Sequence, residues 1–65
     1  MKNNDIEIAN RLARIEAIKI EVEGMKVANA ESENQGHGFA YDESLFSEAA
    51  KEINELAEEL LDFRN

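Results

Sequence analysis

Between Asp5 and Glu31 the chain is apolar on two opposite faces of one helical repeat, and no proline interrupts it. At about 100° per residue, Ile8, Leu12, Ile15, Ile18, Val22 and Met25 fall on one face. Ile6, Ala9, Ala13, Ala17, Ile20 and Val27 fall on a second, roughly opposite. Charges keep to narrow strips between them, Glu7, Arg14 and Glu21 on one and Glu16, Lys19 and Glu23 on the other. Pairs four residues apart, such as Glu7 with Arg11 and Lys19 with Glu23, support the helix locally. A helix with two apolar faces needs two partners. A second helix of the same chain covers one face. The other, built on Ile6, Ala9, Ala13, Ile20 and Val27, is left for another copy. Gly24 lies inside this segment at a cost of about 1 kcal/mol relative to Ala. It reads as a tolerated surface glycine, a kink, or a point of close approach by a helix or ligand.

The second helical segment supplies the first partner. Phe46, Ala49, Ile53, Leu56, Leu60 and Phe63 alternate at spacings of three and four, a heptad seam that Ala50, Ala57 and Leu61 widen. Asp42 is placed to cap the helix, its carboxylate accepting from first-turn amides. Tyr41 and Phe46 then occupy the positions of a hydrophobic staple. Glu43 and Glu48 suit the positive end of the helix dipole. The expected elements are a helix over about 5–31, a loop over about 32–41 and a helix over about 43–63. The fold expected is all-α: an antiparallel two-helix hairpin, one domain over 1–65, assembling into a homo-oligomeric helical bundle. A dimer makes a four-helix bundle, and a trimer or higher ring is left open. The ends "MKNN" and "RN" are expected to fray.

Length leads to the same place. A core drawn from 65 residues is marginal. The usual remedies are disulfides, a metal or association. The chain has no cysteine and one histidine, so association is the remedy left. Lack of cysteine fits a reducing cytoplasm. No apolar run approaches the roughly 20 residues of a membrane span, and "MKNNDIEIAN" lacks a signal-peptide core. A formal charge of −8 repels phosphate backbones and anionic lipid, so neither direct nucleic-acid binding nor membrane binding is expected. Most of that charge lies late in the chain, where Asp42, Glu43, Glu48, Glu52, Glu55, Glu58, Glu59 and Asp62 face only Lys51 and Arg64.

No catalytic set can be assembled. Ser32, Ser44 and Ser47 are the hydroxyls besides Tyr41, and His37 is the one base. Ser44 and Ser47 read as first-turn backbone partners. His37, Asp42 and Glu43 match no metal-ligand spacing. Gly36-His37-Gly38 lacks the context and the lysine of a phosphate loop. No enzyme activity, cofactor or metal is expected. Binding remains, at two places. In the loop, Gly36 and Gly38 permit the reversal, Phe39 is expected to plug the end of the bundle and Tyr41 to staple the second helix. The same residues can also form an aromatic and polar pocket of His37, Phe39, Tyr41 and Glu43, with Lys26 from a neighbouring helix offsetting the acidic field. Such a pocket suits a stacked base and a phosphate. On the second helix, Glu48, Glu52, Glu55, Glu59 and Asp62 form an acidic face. It serves solubility, or it occupies the basic groove of a partner.

"RLARIEAIKIEVEGMKVAN" followed by "GHGFAYDESLF" resembles small uncharacterised helical proteins encoded by bacteriophages and prophages. The pattern is carried by Glu23, Gly24, Met25, Asn29, Gly36, Gly38, Ala40, Tyr41, Glu43 and Phe46, within residues 11–60. The resemblance implies a mobile-element origin, a bacterial cytoplasm and a counter-defence role. The leading expectation is an acidic inhibitor that binds a host defence or nucleic-acid-handling protein with a basic surface. The alternatives are a sponge for a nucleotide signalling molecule, using residues 36–43 at a subunit junction, and a structural or regulatory assembly factor.

Overall fold

The computed structural model describes residues 3–63. They form two helices and no strand: α1, Asn3–Asn34, and α2, Glu43–Asp62, joined by residues 35–42. The helices pack against each other, early residues of one beside late residues of the other. Arg11 meets Glu59, Arg14 meets Glu52 and Asn29 meets Tyr41, so the hairpin is antiparallel.

With 32 residues, α1 runs about 48 Å at the α-helical rise and sets the 51 Å length of the molecule. It outruns the expected segment at both ends. Ser32, Glu33 and Asn34 stay helical although they are polar, because the helix continues until a residue can take a left-handed backbone. Gly36 is that residue, with φ 79°. Of the ends expected to fray, Asn3 and Asn4 are helical; Met1, Lys2, Arg64 and Asn65 lie outside the described residues. α1 continues through Gly24 without interruption. Nothing in the chain lies within 4 Å of where a Cβ would stand there.

Ile18, 2% exposed, is the one buried apolar residue among those described. Ile8, Ile15, Val22 and Met25 of α1 are half-buried, as are Phe46, Ile53, Leu56 and Leu60 of α2. Ile20, Val27, Leu12 and Leu61 are more than half exposed or at the half. The radius of gyration of 15.6 Å exceeds the roughly 11 Å of a compact chain this long. Two rods touching along one line cannot enclose more.

Ion pairs tie the rods on one side. Arg11 Nε donates to Glu59 Oε1 at 2.7 Å, and its guanidinium lies 5.0 Å from the centre of the Phe63 ring. Arg14 grips Glu52 with two bonds, at 2.9 and 3.2 Å. Along α1, Arg11 meets Glu7 as expected, but Lys19 pairs with Glu16 rather than Glu23, which takes Lys26. Neither helix is long and apolar enough to cross a membrane.

Candidate functional site

The reversal between the helices is built from backbone geometry first. Gly36 N–H donates to the Glu33 carbonyl at 3.0 Å and His37 N–H to the Ser32 carbonyl at 2.9 Å. Those two bonds, closing over a glycine with positive φ, make the Schellman ending of α1. Gly38 turns the chain again with φ 77°. Residues 39–41 then run back beside the end of α1, where Asn29 holds them. Asn29 Nδ2 donates to the Tyr41 carbonyl at 3.0 Å, and Tyr41 N–H donates to Asn29 Oδ1 at 2.8 Å. Both ends of one amide are thereby used on one residue's backbone.

Asp42 starts α2 as its sequence position implies. Its carboxylate accepts from the amides of Ser44 and Leu45 and from the Ser44 hydroxyl. The hydroxyl bond first, and the Leu45 amide next, hold the Asp42 carboxyl below the ordinary carboxylate value. Ser44 is thus a local partner of the cap.

Asn29, Phe39, Tyr41, Asp42, Glu43 and Phe46 surround an open cavity of about 440 Å³ at this end. Phe39, Tyr41 and Glu43 are therefore brought together as expected, with the staple residue Phe46 beside them. His37 and Lys26 do not line the cavity: His37 spends its amide on the cap, and Lys26 pairs with Glu23 at 3.1 Å. Phe39 is 70% exposed, so it plugs nothing in a single chain. The residue missed is Asn29, a polar side chain four positions after Met25 on the packed face of α1. A polar residue there is the signal that could have found it.

The acidic face of α2 divides in two. Glu52 and Glu59 lean toward α1 and are held by Arg14 and Arg11. The Glu52 carboxylate, bonded to Arg14 and beside it, raises the guanidinium above its ordinary value. Glu48, Glu55, Glu58 and Asp62 make no ion pair among the described residues, and all are exposed. A second, smaller cavity of about 230 Å³ lies between the helices, with Ile18, Val22, Met25 and Leu45 in its walls and Glu21, Glu48 and Glu52 at its edge. Among the described residues, no group of three or more histidine or carboxylate side chains is gathered to hold a metal.

Compared with known proteins, the chain has no match: no family model, no curated protein and no solved structure is significantly similar. The phage-protein resemblance therefore stands on its residue pattern alone.

Proposed function

We propose that this chain is a non-enzymatic acidic binding protein. It works as a self-associated helical bundle and presents the outer face of α2 to a basic protein surface. The observation that carries this reading is the split of the α2 carboxylates. Glu52 and Glu59 are consumed within the hairpin, while Glu55, Glu58 and Asp62, and Glu48 at the edge of the cavity between the helices, are exposed and make no ion pair among the described residues. Carboxylates fixed on one rigid helix form a field complementary to a basic groove, and such fields act mainly on encounter rate and partner choice. With the phage resemblance, the target class we propose is a host defence or nucleic-acid-handling protein.

The test is capture of proteins from bacterial extract on the immobilised full chain, with and without Glu48→Lys, Glu55→Lys and Glu58→Lys together. Salt-sensitive capture that the triple reversal abolishes supports the reading. Capture that survives the reversal at low salt sinks it.

A second reading rests on the aromatic cavity at Phe39, Tyr41 and Phe46, which has the size of a small-molecule site. Its charged lining is Asp42 and Glu43, with no cation, which opposes an anionic nucleotide unless another chain brings one. A nucleotide sponge is therefore ranked second. A thermal shift with a cyclic dinucleotide, lost in Tyr41→Ala, would reverse that order.

A further inference from the structure

We infer that the cavity at the loop end of the hairpin is a site for a guanidinium group, recognised by the rings of Phe39, Tyr41 and Phe46 and the carboxylates of Asp42 and Glu43. The ligand class is an alkylguanidine, either a free small molecule or an arginine side chain on a partner. The site shares no residue with the outer carboxylates of α2, so it stands or falls apart from the reading built on them.

The lining selects the sign of the ligand. Asn29, Phe39, Tyr41, Asp42, Glu43 and Phe46 surround about 440 Å³, and three of the six are aromatic and two acidic. Both ends of the Asn29 amide are spent on the Tyr41 backbone. The Asp42 carboxylate takes its three bonds on Oδ1, which leaves Oδ2 without one among the described residues. Glu43 is exposed and makes no ion pair among them. Aromatic faces and carboxylates both favour a cation. The start of α2 opposes one, because a helix N-terminus is the positive end of the dipole. That opposition is weakened here: Asp42 already accepts from the Ser44 and Leu45 amides, and Glu43 stands in the first turn. The cap bonds also keep the Asp42 carboxyl ionised to lower pH than usual.

The same molecule shows which cation such groups hold. At the open end of the hairpin, the Arg11 guanidinium bonds Glu59 at 2.7 Å and lies 5.0 Å from the centre of the Phe63 ring. Ring, carboxylate and guanidinium are the three parts of that contact. The loop end gathers the first two in greater number, and among the described residues no arginine or lysine lines it. Lys26, one turn before Asn29, is paired with Glu23. A planar guanidinium stacks on a ring while its edge bonds a carboxylate, and the compact ammonium of a lysine cannot do both in that way. Phe39 is left 70% exposed in the single chain, so its ring is open to stacking. The Asn29–Tyr41 bonds and the Asp42 cap fix the backbone that carries Tyr41, Asp42 and Glu43, so little ordering is needed on binding.

Tyr41 is the only tyrosine and the chain has no tryptophan, so intrinsic fluorescence reads this cavity directly. The full chain is titrated, in the millimolar range, with capped arginine amide, with its neutral isostere capped citrulline amide, and with butylguanidinium. A saturable change in Tyr41 emission is expected with both guanidinium probes, and binding about threefold or more weaker with citrulline. The two guanidinium probes separate the sources. Tighter binding of the arginine amide supports the site with a partner's side chain as ligand, and tighter binding of butylguanidinium supports it with a free small molecule. Phe39→Ala and Glu43→Gln, both at exposed positions, are each expected to weaken binding about threefold or more with helical content unchanged. Glu31→Gln makes the same charge change on α1 outside the cavity and is expected to leave binding as it was. No saturable response, an equal response to citrulline, or binding that survives both cavity substitutions overturns the site. So does a response to adenosine monophosphate with none to either guanidinium probe.

Discussion

The Asn29 side chain binds the backbone of Tyr41 twice, donating to its carbonyl at 3.0 Å and accepting from its amide at 2.8 Å. This clamp fixes where the returning chain meets α1 and so where α2 begins. Asn29→Ala removes both bonds, each worth about 0.5–1.5 kcal/mol. The expected loss is about 1–3 kcal/mol in urea unfolding. Asn29→Asp keeps an acceptor for the Tyr41 amide but has no donor for its carbonyl, so it is expected to fall between. An alanine variant as stable as the parent would show that the clamp positions nothing.

Asp42 gives the hairpin a pH dependence of known sign. Its carboxyl is held below the ordinary value by the Ser44 hydroxyl and then by the Leu45 amide, so the folded value lies below the unfolded one. A group shifted down stabilises in full above the unfolded value, near 4, and loses that contribution as pH falls through the folded value. The deficit of Asp42→Ala against the parent is therefore expected to be present at pH 7 and to shrink below about pH 4. Urea unfolding across a pH series checks this. A deficit that stays constant to the lowest pH at which the chain folds would contradict it.

Gly24 is the simplest site for stabilisation. It sits in unbroken helix with no atom within 4 Å of a Cβ, so Gly24→Ala is expected to gain about 1 kcal/mol. The same variant bears on assembly, since Gly24 lies beside the outer face of α1. A loss of stability together with dissociation would place a neighbouring chain against that face.

Arg11 occupies a position on the packed face of α1 and closes the open end of the hairpin, between Glu59 and the Phe63 ring. Lysine keeps the charge but loses the flat guanidinium that stacks on the ring and fixes the bond to Glu59. Arg11→Lys is expected to cost about 1 kcal/mol, from a partly exposed cation–π contact and a surface pair. Thermal unfolding at low and high salt measures it, and high salt should narrow the difference.

Much of the hairpin is readable in the residues. The seam of Phe46, Ile53, Leu56 and Leu60, the Asp42 cap and the packed row of Ile8, Ile15, Ile18, Val22 and Met25 follow from periodicity and capping chemistry, whereas Leu12, expected in that row, lies at its margin and is 50% exposed. The end of α1 lies beyond residue 31 because Ser32, Glu33 and Asn34, loop-like in composition, stay helical until Gly36 supplies the positive φ that a glycine adopts cheaply. At the candidate site, Phe39, Tyr41 and Glu43 share a cavity as their closeness in sequence suggests. Asn29 did not stand out because its partner is twelve residues away and is backbone rather than side chain. The capture of Glu52 and Glu59 by Arg14 and Arg11 was hidden for a related reason: helix register across a hairpin is fixed by the turn, which periodicity does not encode.

We propose that this hairpin is completed by a second copy of itself. The most direct test is native mass together with thermal unfolding, measured on the full chain over a wide range of concentration. The expected result is a mass of two chains and a melting temperature that rises with concentration, because association stabilises the folded form by mass action. A mass of one chain, with a sharp melting transition that does not move with concentration, would contradict it.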